Sequence, residues 1–522
     1  MKWVQRFLLV TGYGLLASWV RAEIPIQAWA QRHGETQPNR VMGKRIATDS
    51  VGNVVVAGYA QNDAGQQIVV IKYSETGATL WTNRHRGPAE TNTAKIDLAV
   101  SPAGNVYVAG AAAGAANDYV TLAYAADGTP LWTNRYNAPL GHEDKPSGLA
   151  LDPDGNVVVT GHSWANAYGP DFLTIKYSPA GIALWTNRFA VALFPMNPYG
   201  VANAVATDLA GNVFVTGYAW LPSGGYGYVT VKYDGLGTQL WSRYYHTDTG
   251  SAFAQDLVVN PDGSAIVTGY APGISTSVFT TVKYSASGTA LWTNKSSGGT
   301  SPQAIATDET GNIFVAGFRG SWQNGVADFY TVSYSSSGAL RWAQSYNGPA
   351  KSNDLAYALA LDASGSVLVT GSSQGGGSGL DIVTIKYSNT GTALWTNRIN
   401  GSASGNDEAF AIAIGPSGGV YLAGTSEQSP SPPQLNADLL TVKYSVVVPI
   451  RPQPMLSPAG FGLSFTNLPG GNFSVWTGTN IALPEPEWIR IGDAVEITSG
   501  QYQFMDSEPP THPQRFYQVT AP

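Results

Sequence analysis

Residues equipped for chemistry are few in this chain and far apart. Gly371-Ser372-Ser373-Gln374-Gly375 matches the G-x-S-x-G pattern of a serine nucleophile. That pattern works where a strand ends, the serine turns and a helix begins. Here Ser373 opens a Gly/Ser stretch with strand-like runs on both sides, so a flexible connector is expected. The six histidines, His33, His85, His142, His162, His246 and His512, lack the i, i+4 spacing that sets two imidazoles on one metal. Cysteine is absent, which removes thiolate ligands and thiol nucleophiles together. Asp152-Pro153-Asp154-Gly155 carries two carboxylates that a Ca²⁺ ion could share, but a turn is the better use of these residues. The other carboxylates are scattered and define no acid/base pair. The expectation is no catalytic residue, no metal and no cofactor.

Aromatic side chains are the signal that recurs. Trp81, Trp132, Trp185, Trp241, Trp292, Trp342 and Trp395 each stand four residues after a glycine, and Trp29 stands alone upstream of them. So fixed a place points to a bulky plug between neighbouring sheets. A second set is irregular. Trp164, Tyr168, Tyr199, Trp220, Tyr226 and Trp322 lie among Gly, Ser and Asn in stretches of varying length. Such rings suit stacking on a sugar or gripping a peptide.

The elements that must position both sets are read from one unit, Gly148 to Phe189. Leu149 to Asp152 is a short apolar strand. Asp152-Pro153-Asp154-Gly155-Asn156 reverses the chain, with Asp at the first turn position and Gly free to take positive φ. Val157 to Gly161 is a β-branched run that pairs back. Phe172 to Tyr177 alternates apolar and polar residues at period two, Ser178-Pro179-Ala180-Gly181 repeats the turn, and Leu184 to Arg188 closes a fourth strand. A lone four-stranded sheet has two faces to cover and must stack on copies of itself. The unit is a propeller blade, and the fold class is all-β.

The copies can be counted. The glycine of the first turn recurs at Gly52, Gly104, Gly155, Gly211, Gly263, Gly311, Gly365 and Gly418. The tyrosine ending the third strand recurs at Tyr73, Tyr124, Tyr177, Tyr233, Tyr284, Tyr334, Tyr387 and Tyr444. Six of these strands carry a lysine before the tyrosine: Lys72, Lys176, Lys232, Lys283, Lys386 and Lys443. Spread one to a blade, they describe equivalent structural positions. The last copy lacks its Trp strand, while Ala28-Trp29-Ala30-Gln31-Arg32 is an orphan Trp strand at the start. A β-propeller of eight blades closed by N-terminal strand exchange accounts for both, with seven blades as the alternative.

The pattern D-x-x-G-N-V-x-V-x-G, then D-x-x-T-x-K-Y-S, then G-x-x-L-W resembles the SBBP-type β-propeller repeat of bacterial exported proteins, over roughly residues 28–448. The resemblance implies a propeller in a secreted or envelope protein and brings no assigned activity. The family's name speaks of seven blades, from which this count departs. Ser74-Glu75-Thr76-Gly77-Ala78-Thr79-Leu80-Trp81 also resembles the tryptophan-docking turn of pyrroloquinoline-quinone-type propellers. Those include dehydrogenases and non-catalytic scaffolds, and the vicinal Cys pair typical of the dehydrogenases is missing here.

Around the repeat lie three other segments. Lys2 and Arg6 precede an apolar run from Phe7 to Val20, which reads as a secretory signal peptide over residues 1–22. Its removal takes Lys2, Arg6 and Arg21 and moves the formal charge from −7 to −10. An acidic exported chain is a poor partner for nucleic acid or anionic lipid, and no integral membrane span is expected after signal removal. The propeller is assigned to 23–448, a Pro-rich linker to 449–455, and a small antiparallel β-sandwich-like module to 456–522, with strands at 462–467, 472–477, 488–492, 496–498, 502–505 and 515–519. The expected function is a secreted or cell-envelope binding or scaffold protein. Its protein or glycan ligand would sit on the rim with the variable loops. The competing class is a propeller enzyme, quinoprotein dehydrogenase-like or polysaccharide-degrading. Charged side chains converging in the central channel would bear on that choice.

Overall fold

The computed structural model describes residues 5–7, 24–34, 40–62, 65–87, 95–113, 117–139, 141–166, 169–190, 199–248, 250–273, 276–321, 324–401, 403–428, 436–447, 453–457, 460–466, 472–478, 489–498, 501–506 and 516–520. Contacts divide the chain into two compact units, 27–445, and 1–26 with 446–522.

Blade three shows how the sequence makes its sheet. Asp144–Leu151, Val157–Asn166, Gly169–Tyr177 and Ala183–Phe189 pair antiparallel in that order. Gly155 takes φ +78°, and Asp152 Oδ1 accepts the amides of Asp154 and Asn156, each at 2.9 Å. The strands run further towards the loops than the apolar pattern predicts, because polar residues such as Asp144 and Ser163 continue the ladder. The inner strand also carries a bulge between Pro146 and Gly148.

The same meander recurs around the ring. Inner strands begin blades one to eight at Arg40–Thr48, Asp97–Val100, Asp144–Leu151, Gly200–Thr207, Phe253–Val259, Ser301–Thr307, Asp354–Leu361 and Asp407–Ile414. Each neighbouring pair of sheets encloses an apolar cluster, such as Phe214, Tyr228 and Trp241 of blade four against Ala254, Val267 and Val282 of blade five. The last cluster joins Ala411, Tyr421, Ala423 and Leu439 of blade eight to Val41, Val56 and Val69 of blade one, which closes the ring. In blade eight, Ala437–Val447 is flanked by Val420–Glu427 and, on its other edge, by Ile24–His33, so the N-terminal segment supplies the fourth strand.

Neighbouring blades are latched by the repeat residues. The indole N–H of Trp185 donates to Gly235 O at 3.2 Å, and Asn187 Nδ2 donates to Gly237 O at 2.6 Å in the next blade's turn. Lys176 Nζ meets the same Gly235 O at 3.0 Å and its own blade's Asp152 at 2.7 Å, with both side chains buried. Trp81, Trp132, Trp241, Trp292 and Trp342 dock in the same way on Ala126, Pro179, Ala286, Ser336 and Asn389. The rings therefore pack into the apolar clusters between sheets, as expected, and also clamp the neighbour's turn. Those in blades four, six and seven are buried, and the rest are half-buried.

Only glycine fits the clamped turn. A Cβ on Gly391 would sit 2.6 Å from Trp342, and its φ is +88°. Gly418 has φ +78° with nothing within 4 Å. Gly391→Ala is expected to cost about 2–3 kcal/mol, adding displacement of Trp342 to backbone strain, whereas Gly418→Ala should cost about 1 kcal/mol. Chemical denaturation of the two variants checks the difference, and equal midpoints would contradict the clamp.

The second unit is a seven-stranded set in the order Gln5–Phe7, Phe516–Thr520, Phe473–Gly478, Ile489–Thr498, Gln501–Asp506, Gly460–Thr466 and Gln453–Ser457. Two expectations are corrected here. Gln453 to Met455, assigned to the linker, pair with Gly462 to Ser464. The two short strands expected at 488–492 and 496–498 are one strand, which pairs with Phe473–Gly478 through its first half and with Gln501–Asp506 through its second. Phe465, Phe473, Val475, Tyr502 and Val519 form its core. Of the expected signal segment only Gln5–Phe7 is described, as a strand on Phe516–Thr520, and the remainder lies outside the described residues.

Candidate functional site

The tight first-to-second and third-to-fourth turns lie on one rim of the ring, and the variable connections lie on the other. On that second rim, blade four builds a braced hairpin. Val213–Trp220 and Tyr226–Tyr233 pair up to Trp220 opposite Tyr226, and the turn between them is held by Leu221 N–H to Gly225 O at 2.9 Å. Leu221 is buried and pins the turn into the core shared with blade three. Backbone bonds tie the hairpin to both sides. Trp220 N–H donates to Tyr199 O at 3.0 Å, and Ala252 N–H, leading into blade five, donates to Tyr226 O at 2.8 Å.

Period-two alternation puts Tyr218, Trp220 and Tyr226 on the face turned to blade five, where Phe253 and Tyr270 stand opposite one another. The rings meet there. Tyr218 packs edge-on against Phe253 at 4.8 Å, Trp220 against Tyr226 at 5.2 Å, and Tyr199 against Tyr226 at 5.9 Å. Phe253 stacks on Tyr270 at 5.1 Å. Trp220 is 40% exposed, and the other five are half-buried. Burial, reinforced by the neighbouring phenols of Tyr199, Tyr270 and Tyr226, pushes Tyr218 up to about 12. Burial raises Tyr226 and Tyr270 as well, so the patch offers aromatic faces and, at these three residues, neutral phenol hydroxyls at any ordinary pH.

Three of the six expected binding aromatics, Tyr199, Trp220 and Tyr226, come together in this patch. Trp164 stands apart in blade three, where its ring lies 5.8 Å from His142. Tyr168 and Trp322 lie outside the described residues. Tyr218, Phe253 and Tyr270 complete the patch and were not singled out in the sequence. The i, i+2 spacing of Tyr218 from Trp220 and the place of Phe253 at the start of its strand were the available signal.

The other chemical candidates are absorbed by structure. Ser373 is not in a connector. It is buried within Val367–Gln374 and accepts from Arg398, as Ser163 accepts from Arg188 at 2.6 Å and Ser426 from Arg32 at 2.6 Å. Asp152 spends both oxygens on Lys176, Asn156 and turn amides, and among the described residues no group of three His, Asp or Glu could hold a metal ion. His512 lies outside the described residues, and burial holds His162 down to about 4. No described helix is long and apolar enough to cross a membrane.

Charged side chains do converge at the ring's centre. Arg45 of blade one meets Asp97 of blade two at 3.0 Å, and Lys95 of blade two reaches past blade three to Asn203 of blade four at 3.0 Å. Next to them, Tyr357 of blade seven donates to Glu408 of blade eight at 3.2 Å, and Lys44 of blade one lies 3.6 Å over Phe410. None of these residues belongs to the repeat pattern. Arg45, Asp97 and Asp256 take the inner-strand position that Gly148, Ala204, Ala304, Ala358 and Ala411 fill elsewhere, and that substitution of charge for small residues was legible.

With this geometry the chain is a β-propeller repeat protein. No family model matches it. A curated relative, the uncharacterized WD repeat-containing protein L264 of Acanthamoeba polyphaga mimivirus, is 22% identical over 543 residues, which cover 77% of this chain and 36% of the relative. The chain thus spans little more than a third of that protein's length. Among solved structures, Sqt1 from Chaetomium thermophilum is similar at 11% identity and a TM-score of 0.49, over 77% of this chain and 95% of that one. Sqt1 bound to the N-terminus of the ribosomal protein L10 gives 10% and 0.49, over 78% of this chain and 98% of that one. The polysaccharide lyase Uly1 gives 11% and 0.42, over 80% and 98%.

Proposed function

We propose that this chain is an exported, non-catalytic binding propeller of the SBBP type. Its protein or glycan ligand is held on the variable-loop rim, at the seam between blades four and five. One observation carries the reading: Trp220, more than a third exposed, stands edge-on to Tyr226 on a hairpin fixed by backbone bonds to both neighbouring segments. A ring already held in place loses little entropy when a ligand stacks on it, and loops on a rigid scaffold are where binding resides. Four tyrosine hydroxyls beside the exposed indole add donors that suit sugar hydroxyls or peptide carbonyls.

The test replaces Trp220 and Tyr226 together by Ala and compares retention on glycan and peptide arrays with that of the parent. Retention is expected to fall at least about tenfold, the effect of losing one well-placed aromatic anchor. Trp164→Ala, in the same rim but outside the patch, is expected to bind as the parent does. A parent that retains nothing, or a double variant that retains as much, removes the patch as the working surface. Melting curves separate this from loss of fold.

A further inference from the structure

We infer that the centre of the ring is a second binding site, for a singly charged carboxylate ligand. It stands apart from the rim patch and does not depend on it. The observation is an imbalance of pairing. Lys44, Arg45 and Lys95 stand on or beside inner strands and reach across to neighbouring blades, Arg40 adds its charge near Lys44, and among the described residues one carboxylate, Asp97, bridges any of the first three within 4.0 Å. The carboxylates, Asp97 included, are tied to the wall. Asp97 accepts the amides of Leu98 and Leu149 at 3.0 and 2.7 Å, and Asp256 accepts those of Leu257 and Ile305 at 2.9 and 3.2 Å. Glu408 is held by the Tyr357 hydroxyl.

The cations keep donors to spare. Lys95 spends one N–H on Asn203, whose own amide is fixed on Ala254 O at 2.7 Å, and Lys44 rests on the Phe410 ring. Arg45 commits Nε to Asp97 and Nη1 to Lys44 O. An ammonium in a protein-lined space with hydrogens to spare is a place for an oxyanion. Asp97 and Asp256 on the same wall oppose a second negative charge, so a monocarboxylate fits better than phosphate or a polyanion.

The electrostatics of Lys95 point the same way. Lys95 is exposed yet crowded by protein, and that crowding, with repulsion from Arg45, lowers it to about 8 against the pull of Asp256 and Asp97. Burial, with Arg40 and Arg45, also lowers Lys44 to about 8 against the pull of Glu408. His162, the other titratable side chain whose charge Lys95 opposes, stays neutral at that pH. A carboxylate placed among these cations would raise both lysines, so binding at pH 8 must take up protons.

Calorimetry on the full chain at pH 8, in two buffers of different ionisation heat, tests the site with lactate, benzoate and glucuronate. Glucose serves as the neutral control and inorganic phosphate as the dianion. At least one monocarboxylate is expected to bind below about 1 mM with proton uptake. Lys95→Met should weaken it at least tenfold, while Lys351→Met, on an exposed loop of blade seven, leaves it unchanged. A parallel measurement uses the unaltered chain, in which the bound carboxylate should slow acetylation of Lys95 and Lys44 but not of Lys351. Absence of binding by all three acids, equal binding of glucose or phosphate, or an unprotected Lys95 overturns the inference.

Discussion

Deleting Ile24–Arg32 is expected to unlatch the ring and cost several kcal/mol, on the order of what removing a docked tryptophan strand from a core costs. Among the described residues, Ala437–Val447 otherwise pairs only with Val420–Glu427 and, through a single bridge at Ala437, with Arg40. Trp29 Nε1 donates to Glu75 O at 2.9 Å, Lys443 Nζ reaches the same oxygen at 3.1 Å, and the Trp29 ring lies against Gly77. Arg32 donates to Ser426 as Arg188 donates to Ser163. Without these contacts Tyr73 and Tyr421 lose the ring packed between them, and the backbone of Ala437–Val447 is left as an open edge. The expected result is a melting temperature lower by ten degrees or so, with self-association visible by light scattering. Trp29→Ala alone should produce a smaller drop without aggregation, because the strand can still pair. A truncated chain that melts with the parent and stays monomeric would falsify closure by this strand.

The second large effect is expected at the buried ion pair of blade three. Asp152 and Lys176 are 2.7 Å apart, with side chains 1% and 4% exposed. Lys176→Met removes the cation and strands the carboxylate, at a cost of about 3–5 kcal/mol. Replacing both, Lys176→Met with Asp152→Asn, is expected to recover most of that loss, since no bare charge remains. Urea denaturation of the three proteins checks it, and a double variant as unstable as the single one would contradict the assignment. The pH dependence follows with a definite sign. Burial works to raise the Asp152 carboxyl, but Lys176 and Asn156 outweigh it and hold the group below the usual range, and Asp49, Asp308 and Asp362 are held below it as well. The stability these groups contribute is complete above their unfolded pKa, about 4, and is lost as pH falls through the lower folded values. Burial raises Asp144, Asp354 and Asp407, which oppose the trend. Abolishing the Asp152–Lys176 pair should therefore flatten the acid limb of the stability curve.

Much of the propeller was legible because each repeat residue acts locally. Gly155 marks a turn that needs positive φ, and the Trp185 and Asn187 positions recur because each must reach the same carbonyls of the next turn. The orphan Trp29 strand could be paired with the incomplete last blade by that logic alone. The ends of elements were harder. Asp144 extends its strand by accepting from Ser163 across the ladder and from the Ala138 amide of the preceding loop, bonds that hydrophobic periodicity does not register. The same blindness hid Ser373, a polar residue buried because Arg398 and Asp354 satisfy it from other strands. In the rim patch, rings on connections drew notice while Tyr218 and Phe253, just inside strands, passed as core. The central charges needed three dimensions, since Lys95 and Asn203 are 108 residues apart in sequence.

Closure by Ile24–His33 also sets an order of events. The segment that completes blade eight is the first part of the propeller to leave the ribosome, and its acceptor strand, Ala437–Val447, is made more than 400 residues later. Through that interval it is an unpaired edge carrying an exposed indole. Its native contact is among the most non-local in the chain, and contacts of that kind carry a large loop-closure cost before they form. Each chain also has one strand to donate and one place to receive it. Two chains meeting before closure can exchange strands reciprocally, and several can join head to tail. Chain concentration during folding therefore decides between a closed ring and a domain-swapped polymer built from the same hydrogen bonds.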